Sequence, residues 1–284
     1  MSLISSLEIE EITTKNHPNT SSFIFRHLPT TMGVTIGNYL RRLLISYVSG
    51  LAPVGVVIAD KNGPVKSKFT TLEGVVESTI YLILNLKKIV LEEKEPKEGI
   101  FYLELKIENK KTEERIVTAK DFLKSKEVEI KNPELYLATV SPGGVLEIRL
   151  YYRKDWGYHR AEEQKKYNWW KEHFDNEENV ISLDTDYSPI KSGHEDDQVN
   201  FEVKTMVVSL TKEEEELKLT VATNGSIRPK NALLEVLQIS QDLLSRIINS
   251  VKSNSGKREK KNLKESGGRD KEESVLDMAD DSEK

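Results

Sequence analysis

Met32-Gly33-Val34-Thr35-Ile36-Gly37-Asn38-Tyr39-Leu40-Arg41-Arg42-Leu43-Leu44-Ile45-Ser46-Tyr47-Val48 is the stretch from which the rest of the chain can be read. Ile36, Leu40, Leu43, Leu44 and Tyr47 recur at helical spacing and predict a helix with one apolar face. Arg41 and Arg42 fall beside that stripe. Gly50 closes the segment and Pro53 follows it, as expected after a helix end. Gly33 to Gly37 lacks the third glycine and the lysine of a phosphate loop.

A second helix is predicted from Pro229, a residue suited to the first helical position, to about Asn249. Leu233, Leu237, Ser240, Leu244 and Ile247 step by four and three, and Val236, Leu243 and Ile248 widen the face. A stripe that wide calls for cover from more than one side, for which a helical partner is one solution. Between the two helices the period changes to two. Phe101, Leu103, Leu105 and Ile107 alternate with polar residues, as do Leu146, Ile148, Leu150 and Tyr152, then Phe201 and Val203, then Leu217, Leu219 and Val221. These are half-buried antiparallel strands. Residues 61–64 and 141–144 are turns, and a shorter helix is expected over Gly74–Lys87. Strands and helices do not alternate regularly, so the class is α+β, not a doubly wound sheet.

The chain has 284 residues, 42 basic and 47 acidic, for a net charge of −5. The absence of cysteine excludes a disulfide scaffold, thiolate zinc sites and a cysteine nucleophile. No apolar run approaches the roughly 18 residues of a membrane span, and residues 1–12 lack the basic flank of a secretory signal. The reading is a soluble, internally retained protein. Composition shifts near residue 250. Residues 250–284 carry nine basic and nine acidic side chains, no aromatic and few aliphatics, which predicts a disordered, charged tail. A nucleic-acid contact through Lys257, Arg258, Lys260 and Lys261 is the minor alternative.

No catalytic constellation is found. His17, His27, His159, His173 and His194 have no metal spacing, and HExxH, GxSxG, GxGxxG and GxxxxGK[ST] are absent. Asp184-Thr185-Asp186 resembles half of a two-metal site, and His194-Glu195-Asp196-Asp197 could bind a cation; strand edge and solvated turn are the plainer readings. Glu213 to Glu216 is read as a solvated hairpin tip. Trp169 and Trp170, in a polar stretch, are either a partner anchor or part of a short helix or loop laid over the core. Catalytic, cofactor and metal residues are therefore expected to be none.

Several stretches together resemble one family. Gly33 to Ser46, with its glycine, GN, apolar pair and double arginine, is similar to the N-terminal assembly domain of the bacterial-type RNA polymerase alpha subunit. In the family's order follow Phe69 to Val75, Ile83-Leu84-Asn85-Leu86-Lys87, Val128 to Pro133 with Ala138-Thr139, and Trp156-Gly157-Tyr158 with Ala161-Glu162-Glu163. Tyr187 to Ile190 with Val199 to Val203, and Thr223 to Leu233, complete the series, which spans about residues 23 to 245. There are departures. Trp156 stands where the family has arginine, Arg228 stands where it often has the serine that caps the last helix, and residues 159–179 are altered. Nothing from Ser250 onward resembles the family's second, DNA-binding domain.

The resemblance implies a two-lobed fold. Residues 1–50 and 178–249 would form a dimerisation lobe, with two long helices on an antiparallel sheet. Residues 51–177 would form an inserted, mainly β subdomain, and 250–284 the tail. It implies a homodimeric, non-catalytic scaffold that nucleates assembly of DNA-dependent RNA polymerase, a nucleotidyltransferase, by binding beta and beta prime. Contact with DNA would be indirect and contact with membrane absent. Arg41, Arg42 and Ile45 would bind beta; Lys87 would contact the large subunits; Asp184 to Lys191 would face beta prime. Leu40, Leu43, Leu44, Leu233, Leu237, Leu244 and Ile247 would line the dimer. No cofactor is implied, and the expected location is bacterial cytoplasm, with a plastid as the alternative. Two other functions stay open on the residues alone: a stand-alone metal-dependent hydrolase using Asp184, Asp186 and the acids Glu195 to Asp197, and a dimeric adaptor unrelated to transcription.

Overall fold

The computed structural model describes residues 7–13, 18–94, 98–175, 177, 179–190, 199–209 and 212–276, the last stretch beyond Lys252 as backbone only. In chain order the first elements are β1 (Glu8–Thr13), β2 (Thr20–Pro29), α1 (Met32–Tyr47), β3 (Gly50–Asp60), β4 (Gly63–Pro64) and α2 (Thr79–Leu86). Next come β5 (Leu91–Glu93), β6 (Ile100–Glu108), β7 (Arg115–Thr118), β8 (Val128–Ile130), β9 (Tyr136–Val140) and β10 (Val145–Asp155). The last are β11 (Tyr158–His159), α3 (Ala161–Gln164), α4 (Asn168–Phe174), β12 (Ile181–Ser182), β13 (Thr185–Asp186), β14 (Asn200–Ser209), β15 (Lys212–Ala222) and α5 (Pro229–Leu276). The class is α+β with antiparallel pairing in every named sheet.

One sheet runs β1-β2-β15-β14. Its alternation places Phe23 and Phe25 of β2 and Leu217, Leu219 and Val221 of β15 on one face, where they meet Leu40 and Leu44 of α1 and Ala232, Leu233 and Val236 of α5. β2 carries one extra residue here. Phe25 faces Leu217 but Leu28 faces Glu215, and His27 in between adopts φ 64°. The bulge turns Leu28 inward, where it is 1% exposed.

The second sheet runs β12-β3-β10-β6, with β4 on β3. Its strand β3 is an unbroken apolar run that the alternation rule does not single out. It reads that way because both faces are covered. Val56 and Ile58 join the cluster that includes Leu82, Leu86, Leu105, Leu137, Leu150 and Tyr152. Ala52 and Val54 pack with Tyr151, Trp170, Phe174 and Tyr187. Trp170 is thus core and Trp169 packs partly buried against it, so the tryptophans sit on a short helix over the sheet. Helix α2 is shorter than the expected Gly74–Lys87 because Ser78 caps it, its side chain accepting the Tyr81 N–H.

By internal contacts the chain divides into Met1–Val236 and Leu237–Lys284. All the sheets lie in the first. The second is the remainder of α5, with Leu237, Leu243, Leu244, Ile247, Ile248 and Val251 exposed. The helix differs from the sequence expectation, running through Ser250 to Leu276 where a disordered tail was expected. Poor apolar content argues against a buried core, but extending an existing helix adds a hydrogen bond per residue without needing one. Residues 277–284 lie outside the described residues.

Candidate assembly surface

Helix α1 is seated by a carboxylate. Glu215 occupies the core-facing register of β15, two residues before Leu217, and is buried. Its Oε1 accepts the Thr31 N–H at 2.8 Å and its Oε2 the Gly33 N–H at 2.7 Å. These are two of the backbone donors a helix start leaves unsatisfied, and a negative charge is favoured at that end. The reading of Glu213–Glu216 as a solvated tip is therefore corrected for Glu214 and Glu215. Both are 7% exposed, and Glu214 Oε2 lies 2.6 Å from His27 Nδ1. The signal was available, since the alternation of 217, 219 and 221 continued backward points 215 inward.

The two glycines serve the same seating. A Cβ on Gly37 would lie 2.5 Å from the Phe201 ring, and one on Gly33 2.8 Å from Glu215 Oε2 and from Val203. Only glycine lets α1 lie this close to β14, which gives the Gly33-x-x-x-Gly37 spacing a packing role.

With one side of α1 fixed, the arginine pair divides. Arg41 is half-buried and its Nε donates to the Val199 carbonyl at 2.9 Å. Arg42 is exposed, with no hydrogen bond or ion pair among the described residues. Ile45 is partly buried against the helix–sheet core. Leu40, Leu44 and Leu233 are inside that core and Leu43 packs on it, so their apolar surface is committed within the chain. Leu237, Leu244 and Ile247 are exposed.

The remaining expected residues lie on other elements. Lys87 follows the last turn of α2, exposed, its side chain without a partner among the described residues. A cation there complements the helix dipole. Next to it α2 presents Ile80, Tyr81 and Leu84, apolar and exposed. Asp184 Oδ1 accepts the Ala161 N–H at the start of α3 at 2.8 Å, and Asp186 Oδ1 accepts the Ser188 N–H at 3.0 Å. Each acid thus holds a turn. No group of three or more His, Asp or Glu side chains able to hold a metal occurs among the described residues. Lys191 and His194 to Asp197 lie outside them. No described helix is long and apolar enough to cross a membrane.

In the cluster of Ala52, Val54, Trp170 and Phe174 two tyrosines are strongly perturbed. Burial, then the bond to Glu177, pushes Tyr151 up to about 12, and burial raises Tyr187 further.

Comparison with known proteins agrees with this arrangement. The profile of the RNA polymerase Rpb3/RpoA insert domain matches residues 56–188, the segment that holds the buried cluster from Val56 to Leu183. A protein named DNA-directed RNA polymerase subunit alpha from Desulforamulus reducens is 36% identical over 231 residues, 80% of this chain and 66% of its own length. One of the same name from Thermus thermophilus is 33% identical over 223 residues, covering 78% and 64%. Another from Staphylococcus saprophyticus is 33% identical over 225 residues, covering 79% and 64%. The chain thus spans just under two thirds of the length of these relatives. With its α+β fold and the matched insert, the chain is similar over about four fifths of its length to bacterial DNA-directed RNA polymerase alpha subunits.

Proposed function

We propose that this chain is the alpha subunit of a DNA-dependent RNA polymerase, acting in transcription as a homodimeric scaffold that captures beta and beta prime and does no catalysis itself. The observation that carries the reading is Arg42. It projects from a helix whose other side is fixed by Glu215, Gly33 and Gly37, and it has no partner among the described residues. A rigidly mounted, unpaired guanidinium is suited to bidentate capture of a partner carboxylate. Lys87, with the apolar residues of α2 beside it, is a second contact to a large subunit. Asp184, whose carboxylate already accepts a backbone N–H, and Lys191 belong to the stretch facing beta prime.

The dimer uses the second helix. Leu237, Leu244 and Ile247 carry the contact, supported by Leu243 and Ile248, because these apolar side chains are exposed whereas Leu40, Leu44 and Leu233 are spent inside the chain. The lobes divide as residues 1–50 with 178–249 and residues 51–177; one buried cluster is drawn from Phe23–Val48 and Ile190–Val236 and another mainly from Val56–Tyr152, with Leu183 joining the second. The location is the bacterial cytoplasm, and DNA is met through the assembled complex.

The test is co-expression with candidate beta and beta prime subunits followed by sizing. Arg42→Ala leaves the dimer intact and weakens beta capture; capture at wild-type level removes Arg42 from the interface. Leu237→Asp with Leu244→Asp gives monomer, because an unpaired charge is costly to bury. A dimer persisting in light scattering would refute that contact.

A further inference from the structure

The outer edge of β6 is open. β6 ends the second sheet, and no other strand pairs with it on that side among the described residues. One main-chain bond reaches the edge from the following segment, Leu123 N–H to the Glu104 carbonyl at 2.8 Å. The chain then diverges from β6, leaving a groove of about 400 Å³ between Ile100–Glu104 and Leu123–Glu127. An open edge is a template for strand addition, and proteins usually blunt it. Here Tyr102 and Leu123 are 54% and 60% exposed, apolar surface on either side of the groove.

The charges around the groove are unequal in kind. Glu104 is engaged by Arg149 at 3.0 Å, and Glu127 accepts from Ser125 Oγ at 2.5 Å. Lys124 and Lys126 have no ion-pair partner among the described residues. The acids are spent and the cations are free.

A buried polar group lies against the same walls. Tyr152 is 0% exposed, pairs across the sheet with Phe101, and packs its ring on Phe101 at 5.6 Å. Among the described residues its hydroxyl makes no hydrogen bond of ordinary geometry, the Ser125 hydroxyl being its nearest polar influence. Burial pushes it up to about 12, the Ser125 hydroxyl acting against that rise and the Glu127 charge adding to it. Phe101, Ser125 and Glu127 all line the groove. A buried hydroxyl without an acceptor is uncommon and calls for an explanation.

We propose that the open edge of β6 and the adjoining groove bind an extended acidic segment of another polypeptide by strand addition. Main-chain groups of β6 would pair with the added strand, Lys124 and Lys126 would meet its carboxylates, Tyr102 and Leu123 would flank an apolar residue, and Tyr152 would donate to an acceptor at the groove floor. The surface is independent of Arg42 and of the dimer contact, so it stands or falls apart from the polymerase reading.

The probe is a short fluorescein-labelled peptide of alternating aspartate and valine, titrated with the full chain in fluorescence polarisation. Saturable binding is expected, with slowed amide exchange over Ile100–Lys106. Lys124→Glu with Lys126→Glu, at exposed positions that leave the fold unchanged, weakens it roughly tenfold. Tyr152→Phe, checked for native circular dichroism, weakens it about threefold. A peptide of alternating lysine and valine binds markedly less. The proposal is overturned by absence of saturation at millimolar chain, by equal affinity for the lysine peptide, by unchanged affinity in the charge-reversed variant, or by preference for a single-stranded oligonucleotide.

Discussion

Glu215 and Tyr152 are both buried polar side chains, one beneath each main sheet's cover, and their surroundings treat them oppositely. The Glu215 carboxylate accepts two backbone N–H groups at the start of α1, at 2.8 and 2.7 Å. The Tyr152 hydroxyl makes no hydrogen bond of ordinary geometry among the described residues. A buried polar group with its bonds made fixes geometry, because moving either partner leaves an unpaired group in a dry place. A buried polar group without them contributes no such constraint. The first sheet thus uses the buried Glu215 to hold α1, the proposed contact with beta, in one position. The second sheet leaves the Tyr152 hydroxyl unbonded among the described residues, beside an open strand edge.

The largest expected effect is at Glu215. Glu215→Ala removes both acceptors and strands the buried Gly33 N–H, destabilising the chain by about 3 kcal/mol in urea unfolding. Gly37→Leu, which forces a side chain into the Phe201 ring, should cost at least ~1 kcal/mol and shift α1. Wild-type stability for Glu215→Ala would show that the apolar face of α1 alone seats the helix and would erase the contrast with Tyr152.

At Tyr152 the sign changes. Burial lifts the hydroxyl from 10.0 to about 12. The folded value is the higher one, so the contribution to stability is complete below about pH 10 and is lost as pH rises toward 12. Tyr151, also raised to about 12, acts in the same sense. Tyr152→Phe keeps or raises stability at neutral pH, since no hydrogen bond is lost. It also makes the fall between pH 10 and 12 shallower by on the order of 2 kcal/mol. Denaturant titrations at pH 7 and 11 measure both, and an unchanged alkaline fall would mean the hydroxyl has a partner after all.

How far the sequence carried follows from the same physics. Periodicity exposed α1, β6, β10 and β15 because each has one wet face and one dry one. It passed over β3, whose two covered faces remove the alternation. The glycines of α1 were read by spacing, but their reason, contact with Phe201 and Val203, needed the register of β14. Four consecutive glutamates looked solvated because charge in a run suggests a wet tip. The alternation of β15, counted back from Leu217, assigns Glu215 to the helix start instead. Trp169 and Trp170 were left between anchor and cover, and Trp170 packs on Tyr151 and Phe174. The tail was judged by burial alone, which is silent about an isolated helix.

The two arginines give a finer test. Arg41→Ala loses the 2.9 Å bond to the Val199 carbonyl and should cost about 1–2 kcal/mol. Arg42→Ala should change stability by less than about 0.5 kcal/mol, having no bond among the described residues to lose. If the two variants unfold at the same denaturant concentration, the division of the pair into one inward and one outward arginine is wrong.

The smallest effect concerns the second helix. α1 starts on a carboxylate; α5 starts after Arg228, a side chain with no oxygen to offer the first-turn N–H groups. Ser226, two residues earlier, turns the other way: its Oγ donates to Asn224 Oδ1 at 2.6 Å, and no bond to it from an α5 N–H is seen among the described residues. The first turns of α5 are held instead by burial of Ala232, Leu233 and Val236. Arg228→Ser supplies the missing acceptor and removes a cation from the positive end of the helix, so it should stabilise by about 0.5–1 kcal/mol. The gain should be additive with the loss in Arg42→Ala, since neither residue touches the other's partners. A loss of stability in Arg228→Ser would mean that the guanidinium packs on its neighbours through its stem, and that α5, like α1, depends on a side chain at its first turn.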